Sequence, residues 1–282
     1  MKLIQIYKFI LKKNFFNIKY HFFLFLIWNI FKLFQIKADP IIQLLNALLS
    51  LGIYFDIEDK DIQLDLKLKS LFTGIILFVI VFIRSLLLNN VSDKFYYLLL
   101  PFGIFSICLL AKNFRQIKYF RSIILISLLL PLRRLFFYIV NPILLFLSKY
   151  FTFFSLFLLG VDPVLINRSI YLGNSELVIS DGCGGADNMY FVISAVIIYF
   201  LTFRLRNKFN LTIIFLITFL VPLFTNIFRN TLLALIIKLE TDYRDILFNF
   251  FHDSYGSFTF SFISVLIVSY IYFKLLNKEL SS

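Results

Sequence analysis

The sequence of 282 residues contains little charge: Asp, Glu, Lys and Arg make up only 16% of it, whereas 60% is hydrophobic and 20% is aromatic. A typical soluble domain is about 25% charged and about 45–50% apolar, so this composition excludes a water-soluble globular protein. It also excludes a disordered chain, which stays unfolded because its hydrophobicity is low. The excess apolar surface must therefore face lipid, where the 39 Phe and 15 Tyr suit acyl chains and membrane interfaces.

Cysteine and histidine are also scarce, with two residues of each. Cys108 lies in an apolar run, where a free cysteine usually packs as a small side chain, and Cys183 lies in a glycine-rich polar segment. These settings indicate different depths in the membrane and disfavour a disulfide between them. No HExxH motif and no paired-cysteine spacing is present, which disfavours a zinc-dependent hydrolase built on Cys183, His252 and an aspartate.

The hydrophobic residues form runs long enough to cross a bilayer, which takes roughly 20 residues of helix for about 30 Å of hydrocarbon. They predict an all-α, polytopic membrane protein with about eight transmembrane helices. Internal repeats and low-complexity linkers are absent, which predicts a single integral membrane domain, with N-terminal spans in 1–120 and a second part in 121–282. The predicted crossings are 20–36, 39–55, 70–88, 95–111, 121–140, 188–203, 209–228 and 254–273.

Two segments interrupt this helical pattern. Residues 141–166 are apolar but contain two prolines and a lysine, which favours an interfacial or re-entrant helix over a clean crossing. Residues 161–187 contain short β-favouring runs around turn residues such as Gly173-Asn174. They predict a small extracytoplasmic hairpin or loop that leads into the helix at residue 188.

The net charge is strongly positive, +12 from 28 basic and 16 acidic residues. Such a balance occurs in nucleic-acid-binding proteins, but here the basic residues lie between apolar runs and not on one compact face. They therefore indicate cytoplasmic loops held against anionic lipid and no nucleic-acid partner. The N-terminus is basic and lacks a small-residue cleavage site, so it is predicted to be an uncleaved signal anchor with its end in the cytoplasm.

The distribution of Lys and Arg gives the orientation of the chain. With eight crossings, the basic clusters at 112–121, 204–208 and 274–278 fall on the same side as the basic N-terminus, and this side is predicted to be the cytoplasm. Two features fit poorly. The loop 56–69 is acidic although it is placed inside, and the two arginines at 133–134 would lie near an outer end.

Three chemically capable residues converge on the outer side under this topology. Cys183 precedes the helix at 188, Arg229 follows the next crossing, which returns over about 30 Å of bilayer, and His252 precedes the last helix. Cysteine attacks as the thiolate, which a neighbouring imidazole or cation stabilises. Arg229 is suited to stabilising a tetrahedral oxyanion, and His252 to transferring a proton.

Each of these residues alone has an ordinary structural explanation. Cys183 would be an unreactive loop thiol, Arg229 a charge that anchors the end of a span, and His252 an interfacial side chain. Their joint position on one side of the membrane favours a catalytic site instead.

Three short blocks carry a resemblance to a known family. They are Gly182-Cys183-Gly184-Gly185, Asn226-Ile227-Phe228-Arg229-Asn230 and His252-Asp253-Ser254-Tyr255-Gly256. Their order and their attachment to consecutive helix ends resemble the signature blocks of the exosortase/archaeosortase family of multi-span membrane enzymes. The resemblance covers residues 120–273, and the first hundred residues match only as generic spans. The family usually has Ser-Gly after the cysteine, where this chain has Gly184-Gly185.

The resemblance implies a cysteine transpeptidase or peptidase with Cys183 as nucleophile, Arg229 as oxyanion or substrate stabiliser and His252 as proton-transfer residue. It implies that the substrates are secreted proteins ending in a recognition motif, one transmembrane helix and a basic tail (PEP-CTERM-like signals). These would be cleaved through a thioester without a metal or a cofactor. The enzyme would span the inner (plasma) membrane several times, with its active site facing the extracytoplasmic side.

Three further polar residues are candidates for binding substrate: Asn226, one turn before Arg229, and the acidic Asp187 and Asp253. Two other functions stay open at this point. A polytopic transporter would explain the spans and basic loops, but it predicts ionisable residues at mid-membrane, and the three cleanest spans contain none. A non-catalytic membrane protein that binds tails without cleaving them is compatible with the same sequence.

Overall fold

A computed structural model describes residues 18–58, 60, 62, 67–239, 241–252 and 254–281, with the backbone alone at 254, 255 and 257. The described chain is mostly helical. Its α-helices are α1 (Ile18–Gln35), α2 (Pro40–Glu58), α3 (Leu68–Leu86), α4 (Tyr96–Ala111), α5 (Arg121–Leu158), α6 (Ala186–Thr202), α7 (Lys208–Ile237), α8 (Arg244–His252) and α9 (Ser254–Ser281). The basic N-terminal residues 1–17 and the candidate residue Asp253 lie outside the described residues.

Five helical segments of the described chain are long and apolar enough to cross a membrane: Pro40–Glu58, Leu68–Leu86, Phe114–Leu158, Lys208–Ile237 and Phe258–Ser281. The helices α4 and α6 are also apolar but shorter, with 16 and 17 residues. The protein therefore has the multi-pass helical architecture that its composition predicts. The count of eight crossings stays a prediction, because only five segments meet the length and hydropathy that a span requires.

The segment predicted to be an interfacial or re-entrant helix continues a long helix as far as Leu158. Residues 141–158 belong to α5, which is 38 residues long, or about 57 Å at 1.5 Å per residue. Pro131 and Pro142 lie inside α5 without ending it, since prolines are tolerated in apolar helices whose neighbours satisfy the freed backbone groups. The helix ends at Leu158, and Gly160, with φ +74°, turns the chain out of it.

Two compact units divide within α5, between Pro131 and Leu132. In the first unit, Phe25 of α1 rests directly on Gly103 of α4, where any side chain would collide with the ring. This glycine therefore lets α1 and α4 approach closely, and Phe25 is buried between them.

Two contacts between polar side chains lie within the first unit. Asn29 Nδ2 of α1 donates a hydrogen bond of 2.6 Å to Asn46 Oδ1 of α2, and both residues are fully buried. Arg84, which the sequence places within a crossing, forms an ion pair of 2.7 Å with Asp93. Pairing of this kind lowers the cost of placing polar groups in apolar surroundings.

In the second unit, α6, α7 and α9 pack against one another. Hydroxyl pairs link them: Tyr199 of α6 bonds to Ser269 of α9 at 2.8 Å, and Thr225 of α7 bonds to Ser264 of α9 at 2.7 Å. These bonds lie between apolar side chains, where a hydroxyl needs a partner. The three helices therefore form one connected bundle.

The basic loop between α6 and α7 is held by the end of α9. Glu279 accepts hydrogen bonds from the backbone N–H of Arg206 at 2.8 Å and from Asn210 Nδ2 at 2.7 Å. The basic clusters at 204–208 and 274–278 therefore lie at the same end of this unit, as the charge pattern predicts for the two clusters.

A small antiparallel sheet follows α5, with strands β1 (Val164–Ile166), β2 (Ser169–Leu172) and β3 (Ser175–Val178) in that spatial order. The sequence predicts a hairpin or loop here, and the structure has a three-stranded meander. The turns contain Asn167 (φ +55°) and Gly173 (φ +65°), and Asn and Gly are the residues that adopt a left-handed backbone most readily. The side of the membrane on which the sheet lies stays a prediction.

The buried face of this sheet joins the core that surrounds the second cysteine. This core, called here the Cys183 cluster, consists of Leu156, Ile170, Leu172, Leu177, Ile179, Cys183, Leu233 and Ala234. On the other face, the Tyr171 hydroxyl donates to the Glu176 carboxylate at 3.1 Å, and this bond raises the pKa of Tyr171.

Candidate active site

Cys183 lies in a short 3-10 helix (Asp181–Gly184) between β3 and α6. Its N–H donates to the Ser180 carbonyl at 2.8 Å, and its Sγ lies 3.5 Å from Ser180 Oγ. The side chain is only 2% exposed. Gly185, with φ +83°, then turns the chain into α6, which begins at Ala186. The thiol therefore lies directly before a helix N-terminus, where backbone N–H groups favour a thiolate or an oxyanion.

Two asparagines of α7 bind the backbone carbonyl of Cys183. Asn226 Nδ2 and Asn230 Nδ2 donate to this oxygen at 2.8 and 3.0 Å. The asparagines are four residues apart, so they share one face of the helix, and both are buried. Losing such a buried bond costs on the order of 1–3 kcal/mol. The pair therefore holds the segment Asp181–Gly184, called here the cysteine loop, against α7. Asn226, predicted as a substrate-binding candidate, thus contacts the loop that carries Cys183.

The helix α5 supports the same loop from another side. Ser148 Oγ accepts a hydrogen bond from Asn226 Nδ2 at 3.0 Å and donates to the Gly184 carbonyl at 3.1 Å. Asn141 fills the space beside Gly184, where a Cβ would lie 2.5 Å from Asn141 Oδ1. A serine after the cysteine, as the resembling family usually has, would require Asn141 to move.

Sequence reasoning missed Ser148, Asn141 and the part played by Asn230. The available signal was spacing, because Asn141, Ser148 and Thr152 are buried polar residues 7 and 4 positions apart in an otherwise apolar helix. Such spacing places them on one face of α5. It identifies a buried polar stripe but not the partner that the stripe contacts.

Arg229 lies on α7 between the two asparagines and is 5% exposed. Its Nε donates to the Phe251 carbonyl at 3.0 Å, and its Nη2 donates to the His252 carbonyl at 2.7 Å. The expectation that Arg229 lies at the end of a helix is wrong, because α7 continues to Ile237. The arginine instead ties α7 to the segment that carries the histidine.

His252 is the last residue of α8, a nine-residue helix. Its ring stacks on Phe248, with centroids 5.1 Å apart and an interplanar angle of 16°. Phe248 and Phe251 both pack against the Cys183 cluster. The histidine is therefore held at its ring by α8 and at its carbonyl by Arg229.

The structure thus brings the three predicted residues to one end of the second unit. Cys183 precedes α6, the asparagines on either side of Arg229 bind the Cys183 carbonyl, and Arg229 binds the His252 carbonyl. The basic loop at 204–208 follows the other end of α6, which is about 26 Å long for its 17 residues.

The acidic candidates occupy different surroundings. Asp187, in the first turn of α6, forms an ion pair of 2.9 Å with Arg133 of α5. This pair gives a reason for an arginine at position 133, which the charge pattern leaves unexplained. Asp181 pairs with Arg168 at 3.1 Å on the exposed surface. For Asp253 the substrate-binding role stays a sequence prediction, since it lies outside the described residues.

Gly185 is the position where an added side chain would disturb the cysteine loop most directly. Its φ of +83° disfavours any other residue, and a Cβ there would lie 2.6 Å from the Asn226 side chain. We expect Gly185→Ala to destabilise the protein by on the order of 1–3 kcal/mol and to displace Asn226 from the Cys183 carbonyl. The melting temperature of the purified protein in detergent measures this effect.

The matched control is Gly173→Ala, because Gly173 also has a positive φ (+65°) but nothing lies within 4 Å of its missing Cβ. We expect the control to lose clearly less stability than Gly185→Ala. Equal losses for the two variants would show that the contact with Asn226 does not constrain position 185.

Comparison with protein families identifies a match over most of the chain. The family described as transmembrane exosortase matches residues 37–269, a range that contains Cys183, Arg229 and His252. The chain belongs to the transmembrane exosortase family. No curated protein and no solved structure matches it.

Family membership extends the resemblance toward the N-terminus. The sequence blocks place it within 120–273, whereas the exosortase match begins at residue 37 and includes α2, α3 and α4. The exosortase match therefore includes the part of the first unit that begins at α2, whereas α1 precedes it. As a transmembrane exosortase with several apolar helices, the protein is a multi-pass membrane protein that associates with the lipid bilayer.

Proposed function

We propose that this exosortase is a membrane cysteine transpeptidase that cleaves the C-terminal sorting signals of secreted proteins, with Cys183, Arg229 and His252 as catalytic residues. Membership of the exosortase family supports the reaction class. The observation that carries the residue assignment is that one stretch of α7 binds two segments. Asn226 and Asn230 bind the Cys183 carbonyl, and Arg229 binds the backbone of the His252 segment. One helix therefore positions the nucleophile relative to the proton-transfer group.

In the first step, His252 takes the proton of the Cys183 thiol, and the thiolate attacks the carbonyl carbon of the scissile peptide bond. A carbon–sulfur bond forms, and the carbonyl electron pair moves to oxygen. Arg229 has five N–H donors, and two N–H-bearing nitrogens already bind backbone carbonyls. The remaining donors, with the N–H groups at the start of α6, stabilise the oxyanion.

In the second step, the tetrahedral intermediate collapses and the carbon–nitrogen bond breaks. His252 gives its proton to the leaving nitrogen, so the helical tail departs with a neutral amine, and the rest of the substrate stays on Cys183 as a thioester. Water or the amine of a surface acceptor then attacks the thioester and passes a proton to His252. When the thiolate leaves, it recovers that proton, and the enzyme returns to its starting state.

The substrate of this reaction is a secreted protein that ends in a recognition motif, one transmembrane helix and a basic tail. Its helix diffuses laterally in the bilayer, so the motif meets Cys183 at a fixed depth. We place the site at the extracytoplasmic face of the inner (plasma) membrane, since the end of α6 away from the site carries the basic loop at 204–208. The reaction uses no metal and no cofactor.

A trapped thioester tests this function. Purified protein in nanodiscs is mixed with a tailed secreted protein from the same genome, and the products are resolved by intact mass. We expect a released tail and an adduct on the peptide that contains Cys183, and hydroxylamine should discharge this adduct. Release of the tail without an adduct would contradict the proposed mechanism. Binding without release would support the non-catalytic alternative, and solute flux in vesicles independent of Cys183 would support a transporter.

A further inference from the structure

A cavity of about 520 Å³ lies at one end of the first unit, between the start of α3 and a 3-10 helix (Phe114–Phe120) that follows α4. Its lining residues are Lys67, Lys69, Ser70, Asn113, Phe114 and Arg115. The proposed reaction uses none of them. The cavity therefore requires a separate explanation.

The charge of this cavity is positive. Lys67, Lys69 and Arg115 are exposed cations, and no carboxylate lines the cavity among the residues that the structure describes. Lys67 is the N-cap of α3, and no side chain there caps the helix. The partial positive charge of that helix start adds to the field of the three cations. Such a concave cationic site attracts an anion.

The site is built from two segments that the fold holds together. Ser70 is buried, and its hydroxyl lies 3.3 Å from the Lys67 carbonyl and 3.4 Å from the Lys112 carbonyl. Asn113 Oδ1 accepts hydrogen bonds from the N–H groups of Arg115 and Gln116 at 2.9 and 3.2 Å. The Ser70 hydroxyl therefore joins the start of α3 to the segment that carries Arg115.

The position of the cavity relates it to the membrane surface. It lies at the first turn of α3, a helix long and apolar enough to cross the bilayer, so its cations are placed where a span meets the headgroups. Phe114 is 43% exposed beside them and offers an apolar surface next to the charge. Lipid headgroups with phosphate above and acyl chains below have this same pairing of anion and hydrocarbon.

We propose that this cavity binds the phosphate group of an anionic phospholipid. Lys67, Lys69 and Arg115 contact the phosphate, and Phe114 packs against the glycerol and upper acyl region. A role limited to setting the orientation of the chain needs only Lys and Arg near the span ends. It does not require cations from two segments, more than 40 residues apart in the chain, to line one cavity. Saturable binding of one lipid headgroup therefore distinguishes a lipid site from cations that only set the orientation of the chain.

The experiment uses the full-length protein in neutral detergent, titrated with short-chain phosphatidylglycerol while the melting temperature is followed. A ligand that binds only the folded protein raises this temperature in a saturable way. We expect the triple variant Lys67→Gln, Lys69→Gln, Arg115→Gln to weaken binding on the order of 100-fold, at about fivefold for each cation removed. The three side chains are exposed, so the variant without lipid should melt as the wild type does.

A matched control removes the same charge elsewhere, by Arg204→Gln, Lys208→Gln and Lys274→Gln in the second unit. We expect this control to keep the wild-type affinity within about threefold, because only long-range attraction is lost. An equal loss in both triple variants, or a response to lipid that does not saturate, would overturn the proposal. If the first triple variant does not fold, Lys69→Gln alone provides the test, with an expected loss of about fivefold.

Two further titrations separate the sources of the phosphate group. Phosphatidylcholine of the same chain length should bind much more weakly, because its headgroup has no net charge. Inorganic phosphate at millimolar concentration should not displace phosphatidylglycerol if the Phe114 surface contributes to binding. Displacement by inorganic phosphate alone would overturn the lipid assignment and identify a free phosphate ion as the ligand.

Discussion

Cys183→Ala should abolish conversion of a tailed substrate, lowering the rate by at least about 10³-fold, as loss of a catalytic nucleophile does in other covalent enzymes. Without the sulfur no thioester can form, and the rest of the site offers only binding and oxyanion stabilisation. The measurement is the fraction of substrate shortened per unit time, by gel shift or mass, in membranes that contain equal amounts of enzyme.

The matched control is Cys108→Ala, which removes the other cysteine of the chain from its buried position in α4. We expect conversion to stay near the wild-type rate in this variant. Cys183 is a small side chain in an apolar cluster, so alanine should also preserve the abundance of the protein in the membrane. Normal processing by Cys183→Ala would refute the assignment of the nucleophile.

Arg229→Lys should lower kcat by about 10²–10³-fold, the size of effect seen when one oxyanion donor is removed. Lysine keeps the positive charge, but its single ammonium cannot reproduce the fork of Arg229, which binds the Phe251 and His252 carbonyls at once. The variant should therefore lose both the alignment of the His252 segment and donors for the oxyanion. Steady-state kinetics should show the loss mainly in kcat, with KM changed much less.

Arg168→Lys makes the same substitution at an exposed arginine that pairs with Asp181 at the start of the cysteine loop. We expect almost no change in kcat, because exposed ion pairs contribute about 0–1 kcal/mol. A kcat for Arg229→Lys within about threefold of the wild type would contradict the role of the guanidinium fork, since such a loss lies far below the effect of an oxyanion donor. A large fall in melting temperature without a change in kcat would limit Arg229 to a structural role.

The helical architecture and the candidate residues could be predicted from the sequence for simple reasons. Long apolar runs have few stable arrangements other than helices in a bilayer. Rare polar residues beside such runs are conspicuous, and with two cysteines and two histidines in the chain the candidates were few. The family match then agreed with the resemblance that the three blocks indicate.

Element boundaries were harder to predict, and they matter for the site. Proline ends helices in soluble proteins, and this rule led to a separate interfacial or re-entrant helix from residue 141, whereas α5 continues through Pro142. Charge marks the ends of spans, and this rule placed Arg229 at a helix end, although α7 continues to Ile237. The proline rule describes the loss of one backbone hydrogen bond, and the charge rule describes the cost of burying one charge. At Arg229 this second cost is lowered by the Phe251 and His252 carbonyls, which accept its hydrogen bonds.

The sequence by itself determined that this chain is a multi-pass helical membrane protein, because its apolar content leaves no soluble alternative, and it singled out Cys183, Arg229 and His252 by residue type. Only the tertiary structure decided how these residues are held. Ser148 and Asn226 lie 78 positions apart in the chain, and Arg133 pairs with an aspartate more than 50 positions away. A hydrogen bond or ion pair depends on distances of about 3 Å between atoms, and the sequence specifies such distances only after the helices have packed.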